Sequence, residues 1–204
     1  MRDKYLVFGS PVIEQEEIDE VVATLQSGWI GTGPKVAQFE EDFKNYIGAK
    51  YAIAVASCTA GLHLSVVALG IKEGDEVIVP ALTFAATANA VIHSGAKPVF
   101  ADVDRETMTL DFDDVRRKIT SRTKAIIPVH FAGRAVDMER LIEIANEYGI
   151  HIINDAAHAI ETEFKGKKIG TFDDITSYSF YVTKNLTTSE GGMIVTNNEA
   201  IANR

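Results

Sequence analysis

Short apolar runs alternate with helical patterns from residue 51 onward, and this alternation restricts the possible folds more than any other feature. Several runs are continuously apolar, as in Ala125-Ile126-Ile127-Pro128-Val129. Such strands are buried on both faces, which is typical of a parallel sheet covered by helices. The sequence therefore predicts an α/β fold with a mainly parallel sheet of about seven strands. The predicted strands are 51–56, 76–79, 98–101, 124–130, 150–154, 176–180 and 192–196, and the helices among them are 59–69, 85–94, 112–119 and 138–148.

Two further helices are predicted before this alternating part. The first covers 14–26 and ends at Gly28, and the second begins at Pro34 and ends at Gly48. Their apolar residues recur at the i, i+3, i+4, i+7 spacing of an amphipathic helix. These residues are Ile18, Val21, Val22 and Leu25 in the first helix, and Val36, Phe39, Phe43 and Ile47 in the second. We therefore divide the chain into an N-terminal helical segment, 1–50, with a glycine-rich loop around Trp29, and a main domain, 51–204.

Charge and cysteine content narrow the class of protein. The formal net charge is −9 at pH 7 and no basic face is evident, so a nucleic-acid partner is not expected. Cys58 is the single cysteine, which favours a reducing compartment and hence the cytoplasm. The sequence has neither a signal peptide at its start nor an apolar stretch long enough for a membrane helix, so no membrane association is expected.

A lysine and an upstream carboxylate form the most informative pair of polar residues. Lys184 lies among Ser, Thr, Tyr and Asn residues and is followed by Glu190-Gly191-Gly192, whereas Asp155 lies where a predicted strand ends. Pyridoxal phosphate (PLP) enzymes need an amine for a Schiff base to the cofactor aldehyde and a carboxylate that keeps the pyridine nitrogen protonated. The alternative for Lys184 is an ordinary solvated lysine on the surface.

The segment 56–61 joins a predicted strand to a predicted helix and is a candidate phosphate site. Free backbone N–H groups at a helix start bind phosphate, and Ser57 and Thr59 would add hydroxyl donors. The alternative is a plain Ser or Thr helix cap. The segment matches neither a Walker loop nor a dinucleotide-binding turn. Cys58 is not expected to be a nucleophile, because no base is evident near it.

Two further residues are candidates for contacts with a flat ring. Phe84 directly follows a predicted strand and could stack on a cofactor ring, or it could be a core phenylalanine. His158 follows Asp155 by three residues and could hold either Asp155 or a phenolic oxygen, or it could be a capping or core histidine. The other histidines show no metal-ligand spacing, so no metal site is expected.

Taken together, these segments resemble the DegT/DnrJ/EryC1/StrS family of sugar aminotransferases. The resemblance extends from the Trp29 loop through the Glu190-Gly191-Gly192 turn. Its motifs are 57–63 (Ser-Cys-Thr-Ala-Gly-Leu-His), 83–90 (Thr-Phe-Ala-Ala-Thr-Ala-Asn-Ala), 155–159 (Asp-Ala-Ala-His-Ala) and 179–186 (Ser-Phe-Tyr-Val-Thr-Lys-Asn-Leu). It implies the large domain of a fold type I homodimer with the site at the subunit interface. It also implies PLP as cofactor, glutamate as amino donor and a nucleotide-linked keto sugar as acceptor.

The resemblance also implies roles for individual residues. Lys184 and Asp155 would be catalytic, the first through the Schiff base and proton transfer and the second through the pyridine nitrogen. The remaining cofactor contacts implied are Phe84 on the ring, Cys58, Thr59 and Ser179 at the phosphate, and His158 near the ring oxygen. One branch of the family dehydrates sugars and has histidine at the lysine position, so Lys184 favours the aminotransferase.

Members of the family are roughly double this length, which leads to an expectation about the chain itself. A helix begins after Asn198 and is cut short at Arg204, so the small C-terminal domain is expected to be absent. Two alternatives to a complete aminotransferase therefore stay open. One is a cofactor-binding fragment or partner subunit without independent activity, and the other is a sugar dehydratase relative.

Overall fold

A computed structural model describes residue 5 and residues 9–172 and 175–204. Residues 1–4, 6–8 and 173–174 lie outside the described part. The expectation about a signal peptide concerns the start of the chain and therefore falls largely on residues that are not described. Within the described ranges, no helix is both long and apolar enough to cross a bilayer.

The described elements follow the predicted order closely. The helices are α1 (Gln15–Ser27), α2 (Pro34–Ile47), α3 (Cys58–Ala68), α4 (Ala85–His93), α5 (Phe112–Lys118), α6 (Met138–Tyr148) and α7 (Glu199–Ala202). The strands are β1 (Tyr51–Val55), β2 (Glu76–Pro80), β3 (Lys97–Ala101), β4 (Thr123–Ile126), β5 (His151–Asp155), β6 (Glu163–Phe164), β7 (Lys167–Lys168), β8 (Ile175–Ser179) and β9 (Gly192–Thr196). Short 3-10 turns occur at Phe131–Gly133 and Ile169–Thr171.

One seven-stranded sheet organises the chain, in the order β1-β9-β8-β5-β4-β2-β3. The strands from β8 to β3 pair in parallel with their neighbours, whereas β9 is antiparallel to both β8 and β1. The predicted α/β fold with a mainly parallel sheet is therefore confirmed. Since β1, β2, β5 and β8 run in the same direction, the residues that follow their carboxyl ends meet at one edge of the sheet.

Helices cover the sheet on both faces, which explains the continuous apolar runs. In β2, Val77 and Val79 belong to the core cluster beneath α3 and α4, whereas Ile78 belongs to the cluster on the other face. Successive side chains of a strand point to opposite faces, so a strand with two covered faces needs apolar residues at every position. The second cluster contains residues of α2, α5 and α6, including Phe43 and Leu141.

The predicted strand 124–130 is wrong at its end. The structure ends β4 at Ile126, and the pairing then becomes irregular. The Ile127 N–H still donates to the Ile78 carbonyl at 2.8 Å, and Val129 forms an isolated bridge to Asp155. Pro128 has no N–H to donate, which accounts for the interruption. The two-stranded β6–β7 hairpin was not predicted.

The predicted helix ends are confirmed at the glycines. Gly28 and Gly48 adopt left-handed conformations with φ of 73° and 84°, and their N–H groups bond back to the last turn of α1 and α2. Asn198 caps α7 as expected, since its side chain accepts from the N–H groups of Ala200 and Ile201. Local capping rules therefore located these boundaries without knowledge of the fold.

Candidate active site

All of the predicted site residues line a single cavity of about 620 Å³. They are Cys58, Thr59, Phe84, Asp155, His158, Ser179 and Lys184. They come from segments that are distant in sequence and that follow the carboxyl ends of β1, β2, β5 and β8. The expected convergence at one edge of the sheet is therefore what the structure describes.

Asp155 lies at the bottom of the cavity, where β5 ends, and only 5% of its surface is exposed. Oδ2 accepts a hydrogen bond from Thr87 Oγ1 at 2.7 Å, and Oδ1 accepts one from the Ala157 N–H at 3.2 Å. Burial raises the pKa of Asp155, while these two hydrogen bonds and the charge of Lys184 oppose the rise. A buried carboxylate that faces a cavity is well placed to pair with a cationic group of a ligand.

The start of α3 forms another side of the cavity. Ser57 is the N-cap and accepts from the Ala60 N–H at 3.1 Å, so the predicted cap and the predicted phosphate cradle occupy the same turn. Thr59 is exposed toward the cavity, whereas the Cys58 side chain is buried beneath it. Two properties therefore coexist here, namely an ordinary helix cap and unpaired N–H groups that could hold an anion.

The Cys58 thiol points away from solvent toward β8. Its Sγ lies 3.4 Å from Ser177 Oγ and 3.9 Å from Asp155 Oδ1. Burial, followed by the nearby Asp155 charge, raises the pKa of Cys58 well above its usual range. The thiol therefore stays protonated at neutral pH and is unsuited to act as a nucleophile. Any contact of Cys58 with an anion must use its backbone N–H.

Gly192 permits the close approach that shapes this corner of the site. A Cβ atom at position 192 would lie 2.5 Å from the carbonyl carbon of Ser57 and 2.6 Å from the Cys58 nitrogen. These contacts are with backbone atoms and could not be relieved by moving a side chain. The start of β9 can therefore lie against the start of α3 only because residue 192 is glycine.

Phe84 is 79% exposed and lies at the N-cap position of α4, where it lines the cavity. The alternative of a core phenylalanine is therefore excluded. A large aromatic ring that is left open to solvent beside a cavity offers a flat apolar surface to a ligand ring. The sequence alone could not show whether Phe84 is exposed or buried.

Lys184 lies in the loop between β8 and β9 and is partly buried at the cavity. Its N–H donates to the Tyr181 carbonyl at 2.8 Å, which forms a tight turn. The next residue, Asn185, donates from its side chain to Glu161 Oε2 at 2.9 Å and so ties the loop to the segment after β5. The lysine is therefore held at the site by its loop, unlike an ordinary surface lysine.

His158 lies at the opening of the cavity and is exposed. The chain after β5 forms a turn rather than the helix considered from the sequence, yet Asp155 and His158 still line the same space. Nδ1 accepts from the Ala132 N–H at 3.3 Å, which leaves Nε2 to carry the proton of the neutral ring. Desolvation and the Lys184 charge lower the pKa of His158, so the neutral ring is favoured.

A second cavity of about 680 Å³ adjoins the first at Lys184 and His158. Its lining includes Glu161, Thr162 and Asn185, so it is more polar than the first cavity. Lys184 therefore lies between two adjoining spaces.

Thr87 and Ser177 are site residues that the sequence reasoning missed. Thr87 is fully buried and bonds to Asp155, and Ser177 bonds to Cys58 from beneath. The sequence did hold a signal for Thr87. It is a polar residue four positions after Thr83, and residues at that spacing lie on the same side of a helix.

Across the described ranges, no group of three or more His, Cys, Asp or Glu residues could hold a metal ion.

Comparison with known proteins gives the family. The model of the DegT/DnrJ/EryC1/StrS aminotransferase family matches residues 11–204. The chain is 55% identical over 204 residues to the uncharacterized protein MJ1066 of Methanocaldococcus jannaschii. It is 49% identical over 203 residues to the spore coat polysaccharide biosynthesis protein SpsC of Bacillus subtilis. These matches cover 100% of this chain but 53% and 52% of the relatives, so the chain spans about half the length of the curated relatives it matches.

Solved structures agree with the sequence comparisons. Spr1654 of Streptococcus pneumoniae, a candidate sugar aminotransferase, is 37% identical and superposes with a TM-score of 0.91 over 96% of this chain and 53% of its own. It has been solved in apo, PLP and PMP forms. DesI, solved in the presence of its TDP-sugar product, is 38% identical with a TM-score of 0.92 over 99% of this chain and 52% of its own. The resemblance stated from the motifs is therefore confirmed, and the chain belongs to the PLP-dependent DegT/DnrJ/EryC1/StrS aminotransferase family.

Proposed function

We propose that this chain is the cofactor-binding part of an aminotransferase that moves an amino group from glutamate to a keto group of a nucleotide-linked sugar. The observation that carries the proposal is the convergence of the Lys184 side chain and the buried Asp155 carboxylate on one cavity. An amine and a carboxylate in that arrangement are the two fixed groups that PLP chemistry requires.

The residues present fit PLP at three points. The buried Asp155 carboxylate, whose pKa is raised by burial, would be stabilised by a protonated pyridine nitrogen. The exposed ring of Phe84 offers a flat face beside it. The start of α3 offers N–H groups for a phosphate, with the exposed Thr59 hydroxyl next to them. The lining of this cavity therefore has a suitable group for each part of the cofactor.

Each of these residues has a definite task in the proposal. PLP, when bound, supplies a ring that withdraws electrons from the amino-bearing carbon. Asp155 would hold the ring nitrogen, Phe84 would cover one face, and His158 would donate from Nε2 toward the ring oxygen. Thr59, Ser179 and the Cys58 N–H would hold the phosphate. Lys184 would hold the cofactor through Nζ, and the same Nζ, once the amino group of the substrate has taken its place and freed it, would accept and return the proton of the amino-bearing carbon.

The substrate class rests on the relatives and on the second cavity. DesI is described with a TDP-sugar product, and SpsC is named for polysaccharide biosynthesis. A sugar carries many hydroxyl groups, and the second cavity offers carboxylate, amide and hydroxyl partners at Glu161, Asn185 and Thr162 directly beside Lys184. We therefore infer that this protein contributes to the biosynthesis of an amino-sugar polysaccharide, with glutamate as the donor.

A homodimer is part of the same proposal. Trp29 and Ile30, in the glycine-rich loop of segment 1–50, are 59% and 74% exposed. Adjacent α1 also carries exposed apolar residues, and a second copy of the chain would cover this surface.

The cytoplasm is the proposed location of the protein. Cys58 is a free cysteine, which supports a reducing compartment.

One other function has an observation in its favour. Because the chain spans about half the length of its curated relatives, it could bind the cofactor without turnover on its own. Conversion of the bound cofactor to its amine form by glutamate would separate active protein from a binding fragment. A sugar dehydratase relative is disfavoured by Lys184, since imidazole cannot attach a carbonyl cofactor as an amine does.

The test is covalent attachment of PLP to one lysine. We expect the purified chain to absorb visible light after PLP is added, and borohydride to fix the cofactor on the peptide that contains Lys184. Lys184→Ala should lose both signals, whereas Lys72→Ala, remote from the cavity in the loop before β2, should keep them. Attachment to another lysine, or an unchanged spectrum in Lys184→Ala, would refute the assignment.

A further inference from the structure

Thr87, a residue of α4, contacts the Asp155 carboxylate, and none of the roles proposed for the cofactor contacts explains it. It is fully buried, although it carries a hydroxyl group. Its Oγ1 lies 2.7 Å from Asp155 Oδ2 and 2.6 Å from Thr83 Oγ1. Thr83 in turn lines the cavity. The three side chains therefore form a hydrogen-bonded chain that ends on the carboxylate.

The protonation state of Asp155 fixes the direction of this chain. An ionised carboxylate can only accept hydrogen bonds, so Thr87 must donate its hydroxyl proton to Oδ2. The Thr87 oxygen is then free to accept, and Thr83 must donate to it. Hydrogen bonds aligned in this way strengthen one another, particularly where water is excluded.

The other carboxylate oxygen has weaker support. Oδ1 accepts from the Ala157 N–H at 3.2 Å, and the Cys58 thiol, a weak donor, lies 3.9 Å away. Within the described ranges, Thr87 is thus the side chain that makes the short hydrogen bond to Asp155. Because a hydrogen bond to a charged group is stronger than one between neutral groups, Thr87 is the main side-chain influence on this carboxylate.

We propose, on the basis of the proposed function, that Thr87 is a positioning residue for PLP. Its hydroxyl orients Asp155 Oδ2 and keeps the carboxylate charged, and this sets how strongly Asp155 pairs with the ring nitrogen. Thr83 assists by donating to Thr87 and fixing the direction of its proton. Thr87 acts through Asp155 and needs no contact with the cofactor itself.

Removal of the hydroxyl has two consequences. Burial raises the pKa of Asp155, and the Thr87 hydrogen bond is the largest effect that opposes this rise. Without it, the carboxyl group would take up a proton at a higher pH. A neutral or misaligned carboxyl group would pair less well with a protonated ring nitrogen, so cofactor affinity would fall.

The first test follows the carboxyl group without cofactor. We would titrate the chain with aspartate labelled at the side-chain carboxyl carbon and assign the Asp155 NMR signal with Asp155→Asn. Thr87→Val keeps the branched shape but lacks the hydroxyl, and its Asp155 midpoint should rise by about one pH unit. Thr87→Ser should restore the midpoint, and Thr83→Val should give a smaller rise. Thr109→Val, which removes a buried hydroxyl elsewhere, should leave the midpoint unchanged.

The second test separates action through the ring nitrogen from a general structural effect. Thr87→Val should bind PLP about tenfold more weakly, and Thr87→Ser should recover most of the loss. A cofactor analogue with carbon in place of the ring nitrogen should bind Thr87→Val and the unsubstituted chain equally. If both ligands weaken alike, the role of Thr87 is only structural and the inference fails.

The two proposals fail in distinguishable ways. If PLP does not attach to Lys184 in the unsubstituted chain, the proposed function is wrong, whereas the carboxyl titration still tests the Thr87–Asp155 link. If PLP attaches but the Asp155 midpoint is the same in Thr87→Val, the inference about Thr87 is wrong. If Thr87→Val does not fold, the other two variants decide the outcome. The inference predicts a small rise of the Asp155 midpoint in Thr83→Val and no change in Thr87→Ser. An unchanged midpoint in Thr83→Val together with a changed one in Thr87→Ser would contradict the inference.

Discussion

The two N-terminal helices carry the same amphipathic spacing but lie in opposite environments. In α2, Phe43 and Ile47 are only 4% and 2% exposed. In α1, Val21 and Leu25 are 60% and 61% exposed, and the helix has no buried residue. The comparison teaches that an apolar stripe indicates a face that requires a partner, and that the partner itself must be found in the tertiary or quaternary structure.

The surroundings of α2 explain its burial. The Phe43 ring lies 5.1 Å from the ring of Tyr178 and 5.3 Å from that of Phe180, both at the sheet, with edge-to-face geometry. The Glu40 side chain accepts from the Ala54 N–H of β1 at 2.8 Å. The link between the two helices, by contrast, is an exposed ion pair of Lys35 with Glu20, and such surface pairs contribute little. The sheet therefore stabilises α2 and leaves α1 to solvent.

The largest expected effect is a difference in stability between matched truncations in the two helices. Phe43→Ala should lower the free energy of unfolding by about 3–5 kcal/mol, since it removes a buried ring and leaves a cavity. Leu25→Ala should change it by less than about 0.5 kcal/mol, because its side chain is already exposed. Urea unfolding followed by circular dichroism measures both. Equal losses in the two variants would show that α1 is packed against its own chain in solution.

The second prediction concerns how the free energy of unfolding depends on pH. His130 is fully buried behind the site, where Nδ1 accepts from the Val136 N–H at 3.1 Å and Nε2 lies 3.1 Å from Asn154 Oδ1. The first bond places the proton on Nε2, so Nε2 donates to Asn154. Burial lowers the pKa of His130 from 6.5 to about 4. The folded protein therefore holds a neutral histidine that the unfolded chain would protonate in mild acid.

The sign of the effect follows from the number of bound protons. Between pH 6.5 and about 4 the unfolded state binds more protons at this residue, so the free energy of unfolding falls as the pH falls. The His130 contribution is complete above this window, and its full loss is about 3 kcal/mol. Unfolding of His130→Gln across the same pH range should lack this part of the slope. Leu25→Ala in α1 should keep it, and a slope that survives in His130→Gln would contradict the assignment.

Sequence patterns predicted most of the fold and the convergence of the site. Strand and helix positions could be predicted because burial on two faces and capping by glycine or asparagine are local in sequence. The site could be predicted because carboxyl ends of parallel strands meet at one edge, which brought Asp155 and Ser179 together with the start of α3. These inferences need only the topology of the sheet.

Other features depend on packing that the sequence does not state. The exposure of Phe84 depended on what covers the start of α4. The end of β4 is a different case, because Pro128 is visible in the sequence and should have ended the predicted strand earlier. The spacing of Thr87 from Thr83 was a local signal, but its pairing with Asp155 depends on the tertiary contact between α4 and the end of β5. The same limit applies to α1, since its pattern was read correctly but nothing in the pattern indicates which surface covers it.

The third prediction addresses that surface directly. If a second copy of the chain covers α1, then Leu25→Asp places a charge in an apolar interface and should weaken self-association at least tenfold, or about 1.4 kcal/mol, in sedimentation equilibrium. Folding stability should be unaffected, because Leu25 is exposed in the single chain. Tyr148→Asp makes the matched change at an exposed residue of α6 and should leave association unaltered.

The emission of Trp29, the only tryptophan, should shift toward shorter wavelength on association in the unsubstituted chain but not in Leu25→Asp. A loss of folding stability in Leu25→Asp as large as that of Phe43→Ala would instead mean that α1 packs on its own chain, and the contrast between the two helices would disappear.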